Sequence, residues 1–377
     1  MMIRVRFLSL TIALVSCAHA TPAPAAPAAP ASASPKPAPT VAVPVGKPGP
    51  LPSGAQASMT AGDAAADADD WGKAEAAYAK AAAAAPKHAA PLVGQAKAIL
   101  RGLGVPFDLG SAKGDPKREK RVAEAKKLLA TAQKLEPDAK AAWLESGRAA
   151  LMLGDSEGAL ADLDRAVLLA PDDAEATSAR GIARLATGKH DLALKDLKRA
   201  ADLEPTVAAR RRNYATALLM VGRAGDAVKA YDEAVKLDPN DPGIRNDLGA
   251  ALLQLGDGPR AVKELEIAVK QAPKEPVFRV VLGFAYQSVK RWADAEASYK
   301  EALKLDDKRI SAWINLASLY VQTSKKDEAR AALKKALAID PKDARALAML
   351  EDLDKPSKPA PAPSGPAKPE PPPPKPK

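Results

Sequence analysis

Apolar residues recur through most of the chain at the spacing of amphipathic helices. In residues 242–275 they form two clusters of helical periodicity, which predicts two helices. Gly256 lies between the clusters, where it allows a tight turn, and Pro273 ends the second helix. The segment therefore predicts a helix-turn-helix unit with one apolar side. Its apolar residues include Leu248, Leu252, Leu253, Leu255, Leu265 and Ile267.

The same arrangement returns with a period of 34 residues from Ala125 to Asp343. Each unit closes on a proline, except that Asp307 takes one of these positions. An alanine lies twelve residues before each closing position, a leucine or tyrosine follows four residues later, and a second alanine three residues after that. Repetition at one fixed period predicts a solenoid, because units too small to fold alone are stabilised by stacking on their neighbours. The closing prolines are Pro137, Pro171, Pro205, Pro239, Pro273 and Pro341.

This pattern resembles the tetratricopeptide repeat (TPR), a helix-turn-helix unit of 34 residues. Two units contain most of its signature residues. The first has Trp143, Gly147, Gly154, Ala159, Leu163, Ala166 and Pro171. The second has Trp313, Leu316, Ala317, Tyr320, Ala329, Leu333, Ala336 and Pro341. The resemblance implies an all-α fold, a TPR solenoid wound as a right-handed superhelix, that binds protein partners.

Eight repeats are predicted in this register, followed by a capping helix over residues 344–354. The second repeat contains an insertion at residues 102–118, whose glycines and prolines indicate a loop in place of the tight turn. Two interpretations of the insertion are open: a tolerated surface loop, or a protrusion that contacts a partner with Phe107 at its tip. The predicted repeats span residues 55–88, 89–139, 140–173, 174–207, 208–241, 242–275, 276–309 and 310–343.

The N-terminus has the pattern of a processing signal. Two arginines precede an apolar run at residues 7–15 that is too short to span a bilayer as a helix. The sequence Leu-Val-Ser-Cys at residues 14–17 resembles the lipobox of bacterial lipoproteins. This resemblance implies a signal peptide over residues 1–16 and lipidation of Cys17. An ordinary secretory signal cut after Ala20 is the alternative, and it would give a secreted or soluble periplasmic protein.

Proline-rich segments flank the repeats. Residues 17–54 are rich in proline and alanine, and residues 355–377 in proline and lysine, compositions that cannot bury a core. We expect the first to be an extended tether and the second a disordered tail. The formal net charge is +10, but much of the excess lies in the signal, the tether and the tail. The repeats lack the concentrated basic face that nucleic-acid binding requires, so no nucleic-acid partner is expected.

The sequence offers no constellation of residues for catalysis or for a metal. His19, His88 and His190 are far apart, and Cys17 is the only thiol. These positions exclude a disulfide and a metal site of closely spaced ligands. No glycine-rich phosphate loop and no Gly-x-Ser-x-Gly motif is present. We therefore expect a protein that is not an enzyme, uses no cofactor and has no small-molecule substrate.

The remaining function is recognition. In TPR proteins the first helices of successive repeats line a concave groove, and the resemblance implies such a groove here for a partner helix or an extended peptide. Arg148 and Arg212 would be solvated in it or pair with a partner carboxylate, and some leucines would instead pack against the next repeat. The implied groove residues are Val93, Lys97, Leu144, Arg148, Leu151, Ser178, Ile182, Leu185, Arg212, Thr216, Leu219, Asn246, Leu253, Val280, Phe284, Gln287 and Ile314.

The combination of lipobox, tether and repeats looks like the TPR lipoproteins that assist assembly of type IV pili, secretion channels or gliding machinery. By this resemblance the chain is a lipid-anchored scaffold of the bacterial cell envelope, and Ala18 after the lipobox favours the outer membrane, facing the periplasm. The alternative is a peptidoglycan-associated regulator or cofactor of cell-wall synthesis. In that case the lysine-rich tail would contact the cell wall or another anionic surface.

Overall fold

The computed structural model describes residues 49–105 and 111–355. Within these ranges the chain forms seventeen α-helices and no strand, which confirms the all-α fold class. The helices are α1 (Ser53–Asp67), α2 (Trp71–Ala84), α3 (Ala89–Gly102), α4 (Pro116–Leu135), α5 (Lys140–Met152), α6 (Ser156–Leu169), α7 (Ala174–Ala186), α8 (His190–Leu203), α9 (Ala208–Met220), α10 (Ala224–Leu237), α11 (Pro242–Leu255), α12 (Gly258–Gln271), α13 (Pro276–Ser288), α14 (Trp292–Leu305), α15 (Ile310–Gln322), α16 (Lys326–Ile339) and α17 (Ala344–Asp354). They divide into two compact units, α1–α12 before Ala272 and α13–α17 after it.

Helix starts follow the repeat register. Helices α5, α7 and α9 begin at Lys140, Ala174 and Ala208, which are the first residues of the third, fourth and fifth predicted repeats. Aspartates fix some of these starts. For example, the Asp173 carboxylate accepts from Ala176 N at 2.7 Å, and the Asp241 carboxylate accepts from Gly243 N at the same distance. These bonds satisfy amide groups that have no partner within the first turn of a helix.

The periodic alanines and large residues form the core of each repeat. Both alanines of each repeat from Ala159 to Ala336 are fully buried, and the leucine or tyrosine between them is at most 1% exposed. A glycine on the first helix allows the large residue to approach closely. A Cβ atom at Gly283 would lie 2.6 Å from Tyr299 Cε1, and one at Gly181 would lie 2.6 Å from Leu197 Cγ. The repeat signature therefore sets how closely the two helices of a repeat pack.

The turn between the two helices of a repeat uses a left-handed residue. Gly222 takes this conformation with φ of 79°, as glycine does readily. In the last two repeats Lys290 and Ser324 occupy the same position, with φ of 61° and 62°. The turn geometry is therefore retained where the glycine is absent, although an ordinary side chain is less favourable there.

The closing position of a repeat contributes its backbone carbonyl. Trp143 Nε1 donates to Pro137 O at 3.0 Å, and Trp313 Nε1 donates to Asp307 O at 2.9 Å. Because the bond uses only the carbonyl, Asp307 replaces proline without losing it.

The loop in the second repeat is shorter than the one predicted from the sequence. The prediction of a loop throughout residues 102–118 is wrong at both ends, because α3 extends to Gly102 and α4 begins at Pro116. Asp115 explains the early start, since its side chain accepts from the amides of Lys117 and Arg118, and proline is favoured at the first helical position. Ala112 fixes the inserted segment in place, because it is fully buried and its amide donates to Met152 O at 3.0 Å.

Candidate partner-binding face

The odd-numbered helices form one face of each unit, here called the inner face. Each packs against the even-numbered helix that follows it, and neighbouring odd-numbered helices also contact one another, from α1 with α3 to α9 with α11 and again α13 with α15. Among the described residues, successive even-numbered helices make no comparable contact. The inner face is therefore the concave side of each unit.

The seventeen groove residues implied by the sequence all lie on odd-numbered helices, but their exposure differs. Lys97 is exposed. The half-buried residues are Val93, Ile182, Leu185, Arg212, Thr216, Leu253 and Phe284. The buried residues are Leu144, Arg148, Leu151, Ser178, Leu219, Asn246, Val280, Gln287 and Ile314. The surface accessible to a partner is therefore smaller than the predicted groove.

Arg148 on α5 is a buried charge of the inner face, with 8% of the residue exposed. Its guanidinium donates to Glu145 on the same helix at 3.0 Å and to Glu175 on α7. Burial alone would lower the pKa of Arg148, but the charges of the two carboxylates outweigh it and the pKa is raised. Conversely, burial would raise the pKa of Glu175, but Arg148 lowers it. Arg148 therefore connects α5 to α7 as a charged pair.

The next two junctions have polar links of the same kind. Between α7 and α9, Asn213 Nδ2 donates to Ser178 Oγ at 3.1 Å. Between α9 and α11, Arg212 Nε donates to Asp247 Oδ2 at 2.7 Å. We call these two links and the Arg148–Glu175 pair the polar ladder. It joins four successive odd-numbered helices of the first unit.

The polar ladder corrects the prediction made for the two arginines of the groove. Arg148 and Arg212 were expected to be solvated or to pair with a partner carboxylate. Both instead bind carboxylates of this chain, and a partner would have to displace Glu175 or Asp247 to reach them. Because a buried charge that loses its partner is strongly destabilising, these arginines position helices.

Two of the predicted groove leucines belong to the core. Leu144 and Leu151 are 3% and 1% exposed and lie in one cluster with Leu160 and Leu163 of α6. A side chain this buried offers no area to a partner. For these two residues the alternative of packing between helices is the correct one.

An apolar strip remains accessible across α7, α9 and α11. Ile182, Leu185 and Leu253 are half-buried, and Met220 at the end of α9 is 54% exposed. We call these four residues the inner strip. Met220 was not among the predicted groove residues, although it lies at the thirteenth position of its repeat, directly after the predicted groove residue Leu219. Its repeat position was the signal that identifies it.

The inner face of the second unit is mostly closed. Val280 and Ile314 are 8% and 7% exposed, and Gln287 accepts a hydrogen bond from the buried Tyr299 hydroxyl at 2.9 Å. Burial raises the pKa of Tyr299, so this hydroxyl keeps its proton. Phe284 is half-buried and is the one predicted aromatic that this face leaves partly accessible.

The described ranges offer neither a metal-binding cluster nor a membrane-spanning helix. Residues 49–105 and 111–355 contain no cluster of three or more His, Cys, Asp or Glu side chains suited to a metal ion. Over the same residues, no helix has both the length and the apolar character needed to cross a bilayer. Cys17, Phe107, the predicted signal peptide and the predicted tail after Lys355 lie outside the described residues.

Several solved structures resemble the chain. The crystal structure of the APC/C hetero-tetramer Cut9-Hcn1 aligns with a TM-score of 0.58 and 17% identity over 76% of this chain and 53% of that one. The chain thus spans about half the length of that relative. PilF of Pseudomonas aeruginosa aligns with a TM-score of 0.49 and 18% identity over 57% of this chain and 98% of that one. YrrB, described as a TPR protein with an unusual peptide-binding site, aligns with a TM-score of 0.40 and 17% identity over 50% and 97%.

Sequence comparison identifies the repeats directly. No curated protein matches the chain in sequence. One family model described as tetratricopeptide repeat matches residues 218–280 and 288–353, and a second matches residues 118–174, 153–208 and 178–242. Together the matched segments cover more than half of the 377 residues. The fold is therefore a TPR solenoid, and the chain belongs to the tetratricopeptide repeat family.

Proposed function

We propose that this TPR protein is a non-catalytic scaffold that holds a segment of a partner protein along the inner strip. The proposal rests on a contrast between two parts of the inner face, the polar ladder and the inner strip. The polar ladder satisfies its own charges, whereas Ile182, Leu185, Met220 and Leu253 leave apolar area accessible on three neighbouring helices. Accessible apolar area on a concave face is a property of protein-binding surfaces.

The chemistry of the inner strip selects the kind of partner. A helix or an extended segment with apolar side chains would bury the four residues of the strip. A highly charged ligand is disfavoured, because Arg148 and Arg212 are occupied by Glu175 and Asp247. The partner's apolar anchors, and not a terminal carboxylate, would therefore supply most of the affinity.

The proposed setting is the bacterial cell envelope. Support comes from the sequence Leu-Val-Ser-Cys at residues 14–17, which resembles a lipobox, and from the proline-rich segment that follows it. A lipid on Cys17 would hold the scaffold at the outer membrane, and the segment before the repeats would let it stand off the surface. In this position the scaffold would assist assembly of an envelope machine.

Partner capture tests the inner strip. Replacing Leu185 and Leu253 together with glutamate should reduce recovery of the partner from detergent extracts of the source membranes by roughly tenfold or more, because two anchors lose their apolar contact. Quantitative mass spectrometry of the captured proteins measures this change. Helical circular dichroism should stay as in the unaltered chain, since both residues are only half-buried.

Leu168→Glu is the matched control for the inner strip. Leu168 is 70% exposed on α6, an even-numbered helix, so its replacement should leave capture unchanged. Capture that survives the double substitution would exclude the inner strip as the binding site. If the captured material is cell-wall polymer and depends on residues 356–377, the alternative role in cell-wall synthesis replaces the proposal.

Lipid attachment is tested separately. Cys17→Ala should abolish incorporation of labelled palmitate and release the protein from the membrane fraction, because the sole thiol of the chain is removed. Cys17→Ser serves as a second variant of similar size. Unchanged palmitate incorporation, or retention in the outer-membrane fraction, would contradict lipid anchoring at this residue.

A further inference from the structure

A second accessible surface lies on the side of the second unit that the even-numbered helices form. There an open cleft of about 520 Å³ runs between α14 and α16, with α15 as its floor. We call it the outer cleft. Its apolar lining consists of Leu303, Trp313, Leu316, Tyr320, Ala331 and Ala332. Ala331 is exposed and Trp313 is half-buried, whereas the other apolar lining residues are at most 8% exposed, so a partner would reach chiefly Ala331 and Trp313.

Lysines border the outer cleft. Lys300 and Lys304 line the α14 side, Lys335 lines the α16 side, and Glu328 is the one acidic lining residue. Lys335 has no ion-pair partner in the part of the chain that the structure describes. The other two lysines have partners on their own helix, Lys300 with Glu296 at 2.7 Å and Lys304 with Glu301 at 2.6 Å. The Lys304–Glu301 pair is exposed at both residues and such pairs are weak, so an arriving carboxylate can compete for Lys304. Lys300 is 55% exposed, although Glu296 also accepts from Tyr320 and Lys325.

The same repeat positions are closed four repeats earlier in the chain. There Arg180, Arg184 and Asp196 replace Leu316, Tyr320 and Ala332. The carboxylate of Asp196 accepts from Arg180 at 2.8 Å and from Arg184 at 2.7 Å, so ion pairs fill the space. The last repeat instead has apolar side chains at these positions. Leu316 and Tyr320 belong to the repeat signature, so the apolar lining of the outer cleft is present because the last repeat keeps that signature.

We propose that the outer cleft binds an amphipathic helix of another protein. The apolar face of that helix would lie on Trp313 and Ala331, and acidic residues at its borders would face Lys300, Lys304 and Lys335. A groove between two helices accepts a third helix, and the lysines favour a partner of opposite charge. This site uses none of the residues of the inner strip, so it is independent of the function proposed above.

The flanking segments of this chain do not fit as the occupant. Residues 1–48 contain no aspartate or glutamate, and residues 356–377 contain only Glu370 among several lysines. A basic segment would be repelled by the lysines that border the outer cleft. Residues 22–48 and 356–377 are also rich in proline, a residue that is unfavourable in the interior of a helix. An acidic amphipathic helix must therefore come from a different protein.

Binding of two synthetic peptides to the full-length protein tests this inference. The acidic probe is a fluorescein-labelled peptide of about 14 residues, with leucines on one helical face and glutamates at its borders. The basic probe has lysine in place of each glutamate. Fluorescence anisotropy should show the acidic probe binding roughly tenfold or more tightly than the basic one. Equal affinity for the two probes would overturn the proposal.

Filling the cleft provides the second arm of the test. Ala331→Trp should weaken binding of the acidic probe by roughly tenfold or more, because an indole would occupy the space of the ligand. Ala161→Trp is the matched control, since Ala161 is exposed at the same repeat position on α6, and should leave the affinity unchanged. Lys335→Glu should weaken the acidic probe and strengthen the basic one. Binding that survives Ala331→Trp would place the probe elsewhere and refute the outer cleft.

Further measurements distinguish the outer cleft from the inner strip as the binding site. They also distinguish a partner helix from other occupants of the cleft. Leu253→Glu should leave binding of the acidic probe unchanged, and a loss would assign the probe to the inner strip instead. Deleting residues 356–377 should also leave the affinity for the acidic probe unchanged. Tighter binding after this deletion would show instead that the tail itself covers the cleft. A fall in oligomeric state on Ala331→Trp, measured by light scattering, would overturn the proposal in favour of a second copy of this chain.

Discussion

Replacing Gly283 with valine should destabilise the second unit by about 3 kcal/mol, because overpacking a well-filled core is costly. Gly283 lies on α13 directly opposite Tyr299 of α14. A Cβ atom would lie 2.6 Å from Cε1 and 2.8 Å from Cδ1 of the tyrosine ring. The ring cannot move aside easily, since Tyr299 is fully buried and its hydroxyl donates to Gln287 at 2.9 Å. Valine adds two methyl groups beyond this Cβ.

Gly283→Ala should be much milder, with a change of about 1 kcal/mol or less. The chain already contains an alanine and a tyrosine at the spacing of Gly283 and Tyr299. Ala215 precedes Tyr231 by the same number of residues, and both are buried. There the tyrosine hydroxyl contacts Thr216 Oγ1 at 2.8 Å, which shows a second ring position that accepts a methyl group. Alanine also favours helix over glycine by about 1 kcal/mol, and this gain offsets part of the clash.

Hydrogen exchange measures the effect of Gly283→Val where it occurs. Units of a repeat array open separately, so amide exchange in α13 and α14 reports local stability better than one global melting temperature. Gly225→Val is the control, because a Cβ atom at Gly225 meets nothing within 4 Å. That variant should stay within about 0.5 kcal/mol of the unaltered protein. Protection of α13 and α14 that is the same in both variants would contradict the packing explanation.

The helices were predictable from the sequence because their signals are local and periodic. The spacing of Gly147, Leu163 and Ala166 within one repeat requires two helices that pack closely, and each further repeat supplies the same information again. The start of α4 was predictable but missed. Asp115 followed by Pro116 is an ordinary signal for a helix start, and the glycines around it favoured a loop.

The ion pairs of the inner-face arginines could not be predicted from the sequence in the same way. Arg148 pairs with Glu175, 27 residues away, and Arg212 pairs with Asp247, 35 residues away. One separation is shorter than the repeat period and the other is longer. Which residues form each pair therefore depends on the offset between two neighbouring helices. The repeat signature does not specify that offset. Ala112 gave no signal either, since nothing in a loop of glycines and prolines marks one alanine for burial.

Replacing Asp196 with alanine should destabilise the first unit by about 3 kcal/mol, because two half-buried cations would lose their main, buried partner. The Asp196 side chain is 7% exposed and accepts from Arg180 Nε and Nη2 at 2.8 Å and from Arg184 Nη1 at 2.7 Å. Burial alone would lower the pKa of Arg180, but Asp196 and Asp164 together raise it. After the substitution only Asp164 remains, at 3.3 and 3.4 Å and half exposed.

Replacing the whole cluster should be far less harmful than removing its carboxylate. The triple variant Arg180→Leu, Arg184→Tyr and Asp196→Ala copies the residues found four repeats later, where they form the outer cleft. Because a buried ion cluster and an apolar cluster of similar size have comparable stability, we expect the triple variant within about 1 kcal/mol of the unaltered protein.

Urea denaturation with hydrogen exchange in α7 and α8 distinguishes the two variants. The expected order of stability is the unaltered protein and the triple variant together, with Asp196→Ala well below both. Lys198→Ala is the control for loss of an exposed pair, since Lys198 and Asp202 are 60% and 53% exposed. That change should have an effect of less than about 1 kcal/mol. If the triple variant were as unstable as Asp196→Ala, the cluster would stabilise the repeat through the ion pairs themselves, and the apolar residues of the last repeat would not be interchangeable with it.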